Sequence, residues 1–227
     1  MKPALCSLVL ALAVAAAFAP AGSATNECRG IQQCIPVAGP WVVVPAHGHV
    51  QFLLSCPHGK SIVGGLDAQV TSRDVRVGFD ARIGAPVSPG VSTTRYAVFT
   101  AVSTGSKVQA FQPLLGCVPT QGGGGRSTVS AAVTPPGPSL EYRSNVAVVG
   151  PGTVRFARVS CLPSEKLVGS WHALAFRTKK PPALDNAARV QMTGVVVKKK
   201  LVVTAEASDG LSIDAHAVVQ AGVECAP

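Results

Sequence analysis

Ser55-Cys56 through Ile62-Val63-Gly64 returns 105 residues later as Ser160-Cys161 through Leu167-Val168-Gly169. The same offset aligns Trp41-Val42-Val43-Val44 with Val146-Ala147-Val148-Val149, and Thr104-Gly105 with Asp209-Gly210. One offset held over that length predicts a single module written twice, and few folds accommodate such a constraint. Each copy then closes on a cysteine in a Cys-x-Pro ending, Cys117-Val118-Pro119 and Cys225-Ala226-Pro227.

The cysteines extend this reading. Of seven, Cys6 lies in an apolar leader, which leaves Cys28, Cys34, Cys56, Cys117, Cys161 and Cys225. An even set in an exported chain implies disulfides, and the repeat narrows the pairings by giving each copy its own two cysteines. The expected bridges are Cys56–Cys117, Cys161–Cys225 and a local Cys28–Cys34. A bridge closing about 60 residues stabilises by roughly 4 kcal/mol in the chain-entropy picture. Zinc would require thiols clustered at shorter spacing than Cys28 and Cys34 offer, so no metal or other cofactor is expected.

Valine dominates a chain that is 47% hydrophobic and 14% charged, with 23 glycines and 18 prolines. β-Branched residues suit pleated, half-buried surfaces, and Val50, Phe52 and Leu54 alternate as one face of a strand should. Each copy holds about six such segments. One sheet of that size would leave an apolar face in water, so two sheets must pack together. The predicted fold is all-β: two tandem disulfide-stapled β-sandwich modules related by an internal repeat of 105 residues. The segments are a leader (1–24), a cysteine-bearing lead-in (25–40), module 1 (41–119), a Gly/Pro-rich linker (120–140) and module 2 (141–227).

Finer expectations follow. Phe156 sits one place out of the alternation, which predicts a bulge in its strand. The glycine shared at 64 and 169 predicts a kink or a close backbone approach. Thr104-Gly105 and Asp209-Gly210 read as hairpin turns. Copy two should place strands at Ala173–Phe176 and Ala188–Met192, and Ser127–Val133 reads as an extra edge strand.

The leader has Lys2, an apolar run from Leu5 to Ala17, and small residues around Ala21 and Ala24. That is the pattern of a secretory signal peptide, cleaved after one of those alanines, and nothing later resembles a membrane span. The expected location is secreted, extracellular or associated with the cell envelope.

At the first copy's cysteine the chain resembles bacterial secreted proteins with a Cys-Pro-x-Gly-x-x-x-x-Gly-Gly start and a terminal cysteine some 60 residues on. Cys56-Pro57-His58-Gly59 through Gly64-Gly65, closing at Cys117, fits that pattern; Cys161-Leu162-Pro163 and Gly169-Ser170 depart from it. The resemblance implies an exported β-sandwich of uncharacterised role and carries over no catalytic residue. An immunoglobulin-like module is the competing resemblance. Leu115 and Val223 stand where its tyrosine would precede the second cysteine, and no tryptophan follows Cys56 in copy one.

The net charge of +9 comes from 20 basic residues against 11 acids. A nucleic-acid surface would interleave aromatics with that charge, and aromatics make up only 5% of the chain. Copy two gathers Arg177, Lys179, Lys180, Arg189, Lys198, Lys199 and Lys200, which could attract an anionic envelope polymer or membrane surface. The same lysines could simply solvate a strand edge and block edge-to-edge pairing. His47, His49 and His58 read as loop histidines, with a metal site as the alternative. Asp214-Ala215-His216 would place a carboxylate and an imidazole on one face of the final strand, a hydrolase arrangement that no nucleophile motif accompanies. The expectation is a non-enzymatic structural or binding protein.

Overall fold

The computed structural model describes residues 35–57, 61–80, 95–119 and 140–227. Thirteen strands lie among these residues. The first half contributes β1 (Ile35–Ala38), β2 (Trp41–Val44), β3 (His49–Ser55), β4 (Ser61–Val70), β5 (Val75–Asp80), β6 (Tyr96–Ser103) and β7 (Gln109–Pro119). The second contributes β8 (Glu141–Val149), β9 (Val154–Ser160), β10 (Lys166–Phe176), β11 (Val190–Val197), β12 (Lys200–Ala207) and β13 (Ala217–Ala226).

One sheet runs through both halves. β7 pairs with β4 on one side and with β1 and β2 on the other; β2 meets β10, β10 pairs with β13, and β13 with β8. Each half adds a three-stranded sheet of its own, β3-β6-β5 and β9-β12-β11. Successive side chains of a strand point to opposite faces, and the central strands use both. Ala173, Ala175 and Val218 enter a core with Phe52, Phe99 and Phe111 of the first half. Leu174, Phe176, Val219, Ala221 and Val223 enter a second core with Leu201 and Val203. The two small sheets therefore cover opposite faces of the central one. Burial on both faces is why Ala217 to Val223 is buried without a break instead of alternating.

The pairing scheme is the same in both halves: the strand before the first bridging cysteine, β3 or β9, lies in the small sheet, the next in the central sheet, two more in the small sheet and the last in the central sheet. The two long disulfides tie these layers together. Cys56 follows β3 and bonds Cys117 in β7; Cys161 follows β9 and bonds Cys225 in β13, both with Cα atoms 5.7 Å apart. Opposite each closing cysteine the partner strand is irregular, between Val63 and Gly65 in β4 and between Leu167 and Gly169 in β10. The irregularity thus falls beside the shared glycine in both halves, while what approaches Gly169 is the Glu224 side chain rather than backbone, its carboxylate 2.6 Å from where a Cβ would stand.

Several finer expectations are corrected. β9 pairs with β12 in unbroken register, so Phe156 marks no bulge; it faces outward, with the Arg158 guanidinium 5.4 Å from its ring centre, and Ala157 points into the core. Thr104-Gly105 and Asp209-Gly210 are not hairpin turns, because β6 and β12 lie in the small sheets while β7 and β13 lie in the central one. The tight hairpin is instead β11–β12, turning at Lys198 and Lys199 with Lys198 in the left-handed region at φ 56°. In place of separate strands at Ala173–Phe176 and Ala188–Met192 the chain forms the long β10, a short 3-10 helix (Leu184–Arg189) and β11. The end of the lead-in, Ile35–Ala38, is β1, laid along β7. The leader, Cys28–Cys34, His58, Ser127–Val133 and most of the linker lie outside the described residues.

Candidate ligand-binding groove between the halves

The two halves join along a seam that soon parts. β2 and β10 pair only at Trp41↔Phe176 and Val42↔Ala175. Beyond this, Val43 and Val44 stay with Ala110 and Gln109 of β7, and Pro45 turns the chain away, while β10 continues along β13 alone. The split opens a groove of about 560 Å³. One wall is Val43, Pro45 and Val50 from the first half; the other is Leu184, Ala187, Val190 and Met192 from the second. Ser170 to Leu174 of β10 run along it, and His49, Gln51, Ser170 and His172 supply its polar groups.

A buried clamp holds the seam beside the groove. Gln220 is 2% exposed and meets the backbone of Leu53 twice: its Oε1 accepts from Leu53 N–H at 2.7 Å, and its Nε2 donates to Leu53 C=O at 2.8 Å. β3 is an edge strand, so this one amide does for it what a neighbouring strand would do. The Leu53 side chain packs with Val98 and Trp171, flanked by Tyr96 and Tyr142. Trp171 lies across Gly222, where a Cβ would collide with the indole. The indole N–H groups of Trp41 and Trp171 are both buried with no acceptor. The seam is therefore held by apolar packing, the Gln220 amide and the Tyr96 hydroxyl, which donates to Glu141 and accepts Tyr142 N–H.

His172 leans over Gly194 of β11, its Nδ1 3.1 Å from where a Cβ would be. Its surface is still open to solvent, and partial desolvation pushes its pKa below the ordinary imidazole value, favouring the neutral ring, which both donates and accepts a hydrogen bond. His49 begins β3 opposite Val102 and is exposed. His47 occupies the β2–β3 turn in the left-handed region, its N–H donating to Gly105 C=O.

The remaining sequence candidates fall elsewhere. Asp214 and His216 are not on a strand: Asp214 lies in a 3-10 turn, His216 ends it at φ 44°, and β13 starts only at Ala217. Both are exposed, and no hydrogen bond joins them. The basic residues separate into two groups. Arg177, Lys179, Lys180 and Arg189 precede β11, whereas Lys198, Lys199 and Lys200 turn its far end, eight strand residues or about 25 Å away. Among the described residues one trio could hold a metal, Cys161, Glu165 and Cys225. Its sulfurs are joined to each other, and Arg143 grips the Glu165 carboxylate at 2.6 and 2.8 Å. That carboxylate also accepts Leu162 N–H, closing the turn after Cys161.

Sequence reasoning missed the groove because its walls come from segments more than a hundred residues apart. It could have found Gln220, the one polar residue within the apolar run Ala217 to Val223. Compared with protein-family models, with curated proteins and with solved structures, the chain matches none.

Proposed function

We propose that this chain is an exported, non-enzymatic binding protein, formed by duplication of one module, whose groove between the halves takes an apolar ligand. The groove carries the reading: its volume lies within the range of small-ligand sites, about 300–1,000 Å³, and its lining is apolar with a few polar groups. Export is supported by the leader pattern and by the two disulfides. Among the described residues no helix is long and apolar enough to cross a membrane. The test is titration with an anilinonaphthalene dye. Ala188 lines the groove from an exposed position, so Ala188→Trp should fill the groove without touching a core and weaken dye binding at least tenfold. Equal binding by the variant overturns the reading.

A second reading has its own observation. Lys198, Lys199 and Lys200 crown a hairpin whose flank exposes Val195, Val196 and Val197, with exposed Leu162 nearby because Lys199 C=O accepts Cys161 N–H. Cations beside exposed valines suit an anionic membrane surface. Sedimentation with phosphatidylglycerol vesicles should be lost in the Lys198→Glu, Lys200→Glu double variant; retention removes this reading.

A further inference from the structure

Among the described residues several sheet edges carry side chains that take up part of their backbone hydrogen bonding. At the outer edge strand β4, the Asp67 carboxylate accepts Ala68 N–H at 2.7 Å. At the other outer edge, β8, the Asn145 side chain accepts Val146 N–H at 2.8 Å, and Tyr142 N–H donates to the Tyr96 hydroxyl. The Asn145 amide also donates to Arg158 C=O on edge strand β9. Leu53 of β3 is taken by Gln220. β11 ends in three lysines, the common means of discouraging edge pairing.

β10 presents an open edge within the groove. It pairs with β13 along its length, yet among the described residues only Ala175 and Phe176 meet a strand on its other side. From Lys166 to Leu174, every second residue turns its N–H and C=O away from β13. The first part of that stretch is irregular between Leu167 and Gly169, which leaves Ser170 to Leu174 as the regular portion. These five residues carry no proline or lysine, and among the described residues no side chain caps their backbone groups. They are also the β10 residues that line the groove.

We infer that the groove's ligand is an extended apolar peptide segment of a partner protein, added as a strand to the open edge of β10 between Ser170 and Leu174. This inference rests on the binding role proposed for the groove and names its occupant. The peptide takes the track that β2 leaves at Val43, antiparallel to β10. Backbone hydrogen bonds supply affinity, and alternate side chains turn to the two apolar walls, toward Val50 and Pro45 on one side and toward Val190 and Met192 on the other. A lipid or other small apolar molecule would fill the same walls and leave the β10 edge to water.

The experiment uses the exported, oxidised protein, the dye, a set of capped heptapeptides alternating Val, Ile or Phe with Thr, and twins of these peptides N-methylated at alternate residues. The expected result is that at least one peptide displaces the dye, slows amide hydrogen exchange across Ser170–Leu174 at least tenfold, and binds at least tenfold more tightly than its N-methylated twin. If the dye binds but no peptide displaces it, or if the methylated twin binds as well, strand addition is wrong and the groove's binding role stands. If neither dye nor peptide binds, the groove reading falls and takes this inference with it.

Discussion

The two halves share a pairing scheme but differ in the face of the central sheet that each turns away from its own core. In the second half that face carries Trp171, Ala173, Ala175, Val218 and Gln220, and the first half covers it. In the first half the corresponding face of β4 and β7 carries Asp67, Gln69 and Gln112, with Asp67 and Gln69 exposed. An apolar face requires a cover and a polar one ends the stack, as in terminal repeats of solenoid proteins. The difference explains how two halves with one strand scheme stack in one order, the second presenting an apolar face that the first covers. It also places the split, and hence the groove, at the one seam where the halves meet.

Removing a disulfide tests the shared sheet with the largest effect. Cys56→Ser with Cys117→Ser, or Cys161→Ser with Cys225→Ser, should cost about 4 kcal/mol. Calorimetry should still show one transition, since each core contains side chains from the common sheet; two separate transitions would mean independent halves. Next, Trp171→Ala should cost about 3 kcal/mol by denaturant titration, while Gln69→Ala on the corresponding polar face should change stability by less than about 0.5 kcal/mol. Smaller again, Gln220→Leu strands the Leu53 N–H and C=O and should cost about 2 kcal/mol. Gln112→Leu, which loses a single bond to Gly39 C=O in a half-buried place, should cost under about 1 kcal/mol. If the two glutamines prove equal, the clamp is not what separates the halves.

The smallest effect is a pH dependence. Partial desolvation holds His172 below the ordinary imidazole value of about 6.5, so in that region the unfolded chain binds more protons than the folded one. Stability is full above this value and declines as pH falls through it. The decline should flatten in His172→Gln, measured by denaturant titration between pH 7.5 and roughly pH 5.5. Glu165 acts in a lower window. Arg143 and the Leu162 N–H hold its carboxyl below the usual range, so its contribution persists above the ordinary carboxylate pKa and is lost in acid.

The disulfide frame and the β-sandwich class were legible because offset and alternation are local regularities. Cys56 and Cys161 sit at the repeat's offset, Cys117 and Cys225 close their copies three residues out of it, and the bonds pair each copy's own two cysteines. The turns were less legible. Thr104-Gly105 has the same residues whether a chain returns within a sheet or crosses to the next layer, and here it crosses. At the β11–β12 hairpin the turn residues are lysines, which carry no turn signal, and Lys198 takes up φ 56° without the usual glycine or asparagine. Phe156 misled because an aromatic is expected inside, whereas here Arg158 covers it on the outer face. The groove had no local signature: Val43, Ser170 and Met192 acquire a common purpose only when β2 and β10 meet.

The two-rung contact between β2 and β10 also has a mechanical meaning. Cys56–Cys117 and Cys161–Cys225 join positions 61 and 64 residues apart in sequence, and tension cannot lengthen either loop while the bonds last. The chain between each bonded pair is thus a closed hoop, whereas β2 lies ahead of Cys56, outside its hoop, and meets the second hoop only at Trp41↔Phe176 and Val42↔Ala175. A pull along the chain meets covalent limits within each hoop and only hydrogen bonds and packing outside them. The groove proposed as a binding site lies beside this contact, so an occupant would also reinforce the seam.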